Sequence, residues 1–168
     1  MIDDCPHTFS KLAKEILPSR MAELRTAMEK PMPLARFAEY GVGPKTILRE
    51  MKRTEDFSAC YVLMDNGPFY VGISRKVVQR LHDHVCGTDH WTASLAHMMA
   101  VDDSGYAGTR RVAMEDPTYV QAFERAKQKL SEGSVAFVEI DNPVELYLLE
   151  VYAAMELDTS KWNSFATH

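Results

Sequence analysis

The sequence predicts an α/β fold: a small three-stranded, mainly antiparallel sheet flanked by helices, preceded by a helical segment. Three observations predict it. Two short apolar runs, residues 59–64 and 69–73, flank Asp65-Asn66-Gly67-Pro68. Asn-Gly between β-formers favours a tight hairpin, because both residues tolerate positive φ. A third β-rich run, residues 135–140, lies between two helical patterns and is placed to join that hairpin. Elsewhere apolar residues recur at helical spacing, above all in residues 77–85, 119–130 and 143–157.

A chain of 168 residues has the length of one domain and can bury a real core. Its apolar share of 46% is ordinary for a globular protein. No run approaches a membrane span, and the N-terminus lacks the basic flank and apolar stretch of a secretion signal, so a cytoplasmic location is expected. Cys5, Cys60 and Cys86 share no metal-ligand spacing and read as reduced thiols.

Residues 1–54 form the expected N-terminal helical segment and residues 55–168 the sheet-containing domain. Within 8–30, Phe9, Leu12, Ala13 and Ile16 have helical spacing, Pro18-Ser19 interrupts, and Met21, Leu24 and Met28 resume it. Residues 34–53 suggest a short helix, a Gly-Val-Gly turn and a second helix begun near Pro44. One reading is a helix-turn-helix whose second helix presents Lys45, Thr46 and Arg49 to the major groove. The other is a helical cap packed on the core.

Each strand of the hairpin carries a tyrosine, Tyr61 and Tyr70. After Gly72 the pattern turns helical through Val77, Val78, Leu81 and Val85, with Ser74 placed as a cap. At about 100° per residue, Arg80 and His84 lie one turn apart at the edge of that stripe, while His82 and Asp83 point away. Trp91, Leu95, Met98 and Met99 suggest a buried helix over residues 91–101, followed by a loop at 102–111. Arg110 and Arg111 in that loop touch phosphate on one reading and are simply solvated on the other.

Asn142-Pro143-Val144-Glu145 is a helix start, with Asn142 as N-cap and Glu145 as its structural, capping-box-like partner. Farther along, Glu150 falls on the stripe of Leu146, Ala153 and Leu157. An ionised carboxylate there is costly unless it meets a cation, a metal or several donors. Two explanations stand: a metal ligand, or an ion pair with Arg80 or Arg125. Glu156 points away.

The net charge of −5 does not itself suggest nucleic acid, but charge is unevenly spread. Residues 44–84 hold seven Lys/Arg against five acids, and residues 85–168 hold six against thirteen. A phosphate-facing surface should include the middle segment; a solvated mixed-charge surface is the alternative.

Taken together, these positions resemble the GIY-YIG nuclease family. Ala59-Cys60-Tyr61 stand where the family has Gly-Ile-Tyr, with Ala59 in place of the first glycine. Tyr70-Val71-Gly72 stand for Tyr-Ile-Gly, and Ser74, Arg80, His84, Glu150 and Asn163 match later positions. The resemblance spans roughly residues 57–165 and is specific as a set. It implies a metal-dependent endonuclease acting on DNA, with Mg²⁺ or Mn²⁺ held by Glu150 and the phosphate neutralised by Arg80. It also implies Tyr61 as base or water-orienting group, Tyr70 alongside, His84 assisting, and Asn163 holding phosphate or the tyrosine. Lys45, Arg49, Ser74, Arg75 and Lys76 are the expected substrate contacts. Two alternatives remain: a module of the same fold that binds nucleic acid without cutting, and a nuclease for RNA or for single-stranded or branched DNA.

Overall fold

The structure, a computed structural model, describes residues 2–165. In chain order the elements are α1 (Phe9–Lys11), α2 (Leu17–Met28), β1 (Met32–Pro33), α3 (Ala35–Ala38), α4 (Pro44–Glu50), β2 (Ala59–Met64) and β3 (Pro68–Ser74). There follow α5 (Val77–Cys86), α6 (Ser94–Ser104), α7 (Pro117–Glu132), β4 (Ser134–Glu139) and α8 (Pro143–Glu156). They divide into two compact units interleaved along the chain, instead of meeting once near residue 54. One comprises residues 2–32, 55–77 and 134–165; the other comprises 33–54 and 78–133.

In the first unit the hairpin forms at the Asn-Gly pair. Asn66 (φ 55°) and Gly67 (φ 146°) take the positive φ values, and Asp65 N–H donates to the Gly67 carbonyl at 2.9 Å. β2 pairs antiparallel with β3 on one side and with β4 on the other, as the third apolar run predicts. The sheet has four strands, not three, in the order β1-β4-β2-β3. The extra strand is two residues long, too short to leave an alternation, and it holds Pro33 at a sheet edge, where a missing N–H is tolerated.

The alternation of strand side chains sorts the sheet into two faces. Cys60, Val62 and Val71 pack with Leu17, Met21 and Leu24 of α2 and with Leu146, Leu149 and Ala153 of α8 in one core. Ala59, Tyr61 and Leu63 are also buried but stand on the opposite face, with Tyr70 and Gly72 across from Leu63 and Tyr61. Glu145 is buried, but its side chain does not close the expected capping-box contact: it pairs with Arg20 at 3.6 Å and lies 3.6 Å from His7 Nε2, while the cap is made by Asn142 Oδ1 on the Val144 and Glu145 amides.

The leading helices run through Pro18, which lies in the first turn of α2 after a π-helical stretch at Leu12–Ile16. Leu12 is buried, but Phe9, one turn earlier, is 70% exposed.

In the second unit, α3 and α4 are joined through Gly41 (φ 78°) and bridged by Arg36, whose Nε donates to Glu50 Oε2 at 3.1 Å. That pairing raises the guanidinium pKa and lowers that of the Glu50 carboxyl. α6 and α7 pack together through Leu95, Ala96 and Met99 of the one and Ala122 and Phe123 of the other. The expected helix over 91–101 begins later, at Ser94, because Asp89 Oδ1 captures the Trp91 and Thr92 amides in a turn. Trp91 is therefore 62% exposed and Met98 38%, not core. The helix also reaches Ser104, ended by Gly105 (φ 66°), and residues 110–115 are 3₁₀-helical, so the loop expected at 102–111 is shorter. Among the described residues no helix is long and apolar enough to cross a membrane.

Gly72 leaves no room for a side chain between the two tyrosines. A Cβ there would lie 2.5 Å from Tyr61 Cζ and Oη and 2.9 Å from Tyr70 Cε1. Gly72→Ala should cost about 1–3 kcal/mol by overpacking, whereas Gly43→Ala, with open space around it, should change little. Chemical denaturation of both variants measures this; equal stabilities would mean that Tyr61 moves aside freely.

Candidate functional site

The first unit gathers Tyr61, Tyr70, Gly72 and Asn163 about β3. Tyr61 faces Gly72 across the β2–β3 ladder, and the absent side chain lets its phenol lie over the strand. The Tyr61 and Tyr70 rings are 6.2 Å apart and tilted by 50°, the diagonal neighbours expected on one face. Tyr61 is buried and Tyr70 partly exposed.

Asn163 comes from the segment after α8 and uses both ends of its amide on one residue. Oδ1 accepts from Val71 N–H at 2.9 Å, and Nδ2 donates to the Val71 carbonyl at 2.7 Å. β3 is the edge strand, so Asn163 satisfies ladder groups that no further strand pairs. The resemblance gives this amide a grip on phosphate or on the tyrosine. The geometry makes it a positioning residue for the backbone next to Tyr70.

Glu150 lies on α8, which covers the face of Cys60 and Val71, so the structure does not bring it onto the phenol face. The carboxylate is half-buried, and loss of solvent raises its pKa above the usual range. No hydrogen bond or ion pair holds it among the described residues, and Arg125 pairs instead with Asp103 at 2.6 Å. Its field, added to burial, pushes the Cys60 thiol far up. Glu156 is the expected contrast, exposed and paired with Arg25 at 3.0 Å.

Arg80 and His84 belong to the second unit. Arg80 donates from Nη1 to the Thr92 carbonyl at 2.9 Å and from Nη2 to Ser94 Oγ at 2.7 Å, tying α5 to the start of α6. His84 is wholly buried. Burial, and then the Arg80 charge, lower its pKa to about 3, so it is neutral at neutral pH. In this structure the imidazole is enclosed by the packing of α5.

Among the expected substrate contacts, Lys45 and Arg49 are exposed on α4 beside buried Ile47 and Leu48. At seven residues, α4 gives two turns for the expected recognition helix. Arg75 and Lys76 are exposed where β3 gives way to α5. Ser74 Oγ accepts the Lys76 amide two residues on, in the turn that leads into α5. Sequence reasoning passed over His90, His97 and Tyr119. Only their clustering in space marks them, since no spacing in the chain does. No group of three or more His, Cys, Asp or Glu that could hold a metal occurs among the described residues.

Three outcomes check this geometry. Asn163→Asp keeps an acceptor for the Val71 amide but sets a carboxylate against the Val71 carbonyl, which should cost about 1–3 kcal/mol. Hydrogen exchange at the Val71 amide should accelerate in Asn163→Ala; an unchanged rate would leave the clamp without force. Because the His84 pKa is depressed in the fold, its contribution to stability is present above pH 6.5 and lost as pH falls toward about 3. NMR should find this ring neutral at pH 5, and a ring protonated there contradicts its burial.

No family model, curated protein or solved structure matches the chain.

Proposed function

We propose that the chain is a metal-dependent endonuclease of GIY-YIG type, hydrolysing phosphodiester bonds in nucleic acid, DNA in the first place. The observation that carries the reading is the convergence on β3: the Tyr61 phenol seated on Gly72, Tyr70 beside it, and Asn163 fastened to Val71 from 92 residues away. Four positions that the family pattern names in separate parts of the sequence thus meet at one edge strand.

Glu150, on the α8 face of the sheet and away from the phenols, is the one residue assigned to a hydrated divalent cation. Mg²⁺ keeps most of its water and binds proteins through one or two carboxylates, and Glu150 offers one that is desolvated and unpaired among the described residues. When bound, such an ion supplies positive charge that polarises a phosphate. An ordinary phenol titrates near about 10, so Tyr61 acts best at neutral pH by orienting the attacking water. Tyr70 narrows that side of the strand, and Asn163 holds its backbone.

Glu150→Gln separates the metal role from a structural one. Gln keeps the volume and removes the charge, so Mg²⁺-dependent cutting should fall on the order of 100-fold or more. The sign of the stability change follows from the raised pKa. A carboxyl raised in the fold contributes stability below its unfolded pKa and loses it as pH rises through the folded value. The variant should therefore melt at the same temperature as wild type in acid, and at the same or a higher temperature at pH 7. A destabilised variant whose folded fraction still cuts would make Glu150 an ion-pair partner and overturn the metal assignment.

A further inference from the structure

In the second unit, outside the residues assigned to cutting, three nitrogens lack hydrogen-bond partners. His90 is 4% exposed, and neither of its ring nitrogens has a partner; the buried Nε of Arg110 has none either. Unsatisfied buried polar atoms are rare and costly, so a group of three in contact side chains calls for a ligand that satisfies them. They are held together firmly. Arg110 donates from Nη2 to the His90 carbonyl, and its guanidinium carbon lies 4.4 Å over the Trp91 ring. The His90 ring is 5.0 Å from Trp91 and 5.7 Å from His97, centre to centre. His97 Nδ1 is 2.7 Å from the Tyr119 hydroxyl, which fixes that imidazole in turn.

The unmatched groups include donors beside a permanent cation, which suit an anionic oxygen better than a metal. Arg110 would repel a dication brought to the two imidazoles. The nearest acid, Asp89, is already spent on the Trp91 and Thr92 amides, which hold its carboxyl below the usual range. Burial chiefly, with the Arg110 charge and His90 adding to it, lowers the His97 pKa to about 4. Next to these donors stands Trp91, 62% exposed, with Arg111 exposed beyond Arg110. An aromatic ring left in solvent beside phosphate-binding donors is what a stacked, unpaired base requires.

We propose that Trp91 and Arg110 form a subsite for one unpaired nucleotide, the base stacked on the exposed Trp91 ring and the phosphate taken by the partly exposed Arg110 guanidinium, which the buried His90 backs through its carbonyl. The subsite deepens the nuclease reading, on which it rests for the class of substrate: single-stranded or locally unpaired nucleic acid over a plain duplex. The ligand chemistry is shared by DNA and RNA.

Fluorescence anisotropy of the full chain in EDTA, at low salt, tests it on labelled dT12, rU12 and a 12-base-pair duplex. Base–aromatic stacking gives about a tenfold effect per base, so Trp91→Ala should weaken single-strand binding about tenfold and duplex binding less than twofold. Trp91→Phe should restore most of the loss, and Arg110→Gln should weaken the single strand as well. A tenfold loss in one arm or both supports the subsite and identifies the sugar it accepts. A change within twofold on both single strands, or an equal loss on strand and duplex, overturns it. Cleavage is read separately on wild type with Mg²⁺. Cutting with unaltered Trp91→Ala binding discards the subsite alone; tenfold weaker single-strand binding without any cutting discards the nuclease alone.

Discussion

The close approach of the Tyr61 phenol to the backbone of β3 at Gly72 is the contact on which the rest of the first unit depends. It is possible only because no side chain intervenes, and it fixes the β2–β3 register, since a slip of one residue would set Val71 or Ile73 under the ring. Register in turn decides the faces. With Tyr61, Tyr70 and Gly72 on one side, Cys60, Val62 and Val71 must meet α2 and α8 on the other. The edge thus left on β3 is closed by one side chain, Asn163, which supplies both a donor and an acceptor as a neighbouring strand would.

Electrostatics divides the candidate groups by what burial leaves them able to do. Desolvation leaves Glu150 half-buried and short of a counter-charge, a poor arrangement for stability and a useful one for holding a cation. The same force, with the Arg80 charge added, lowers the His84 pKa to about 3. Arg80 is engaged with Thr92 and Ser94, which shapes the α5–α6 corner whatever else the guanidinium contacts.

Much of this was legible in the residues themselves. The hairpin announced itself through Asn66-Gly67, the third paired strand through its β-rich run, and α8 through Asn142-Pro143. What stayed hidden has physical causes. β1 is too short to show a period, and the π-helical stretch before α2 shifts a phase that spacing alone takes as constant. Trp91 has the spacing of a core residue, but the Asp89 turn delays the helix and leaves the ring in solvent. The interleaving of the two units is a long-range property that no local pattern encodes. Of the site, Tyr61, Tyr70, Gly72 and Asn163 could be picked by position. The manner in which Asn163 works, through the Val71 backbone, could not.

The central claim is that this edge strand belongs to an enzyme that cuts phosphodiester bonds. Incubating the full chain with single-stranded, duplex and branched DNA in Mg²⁺, and again in EDTA, tests it most directly. The account predicts Mg²⁺-dependent cleavage of at least one substrate, abolished by the chelator. Stable binding to these substrates without cleavage of any of them would contradict it, and would leave a nucleic-acid-binding module of the same fold.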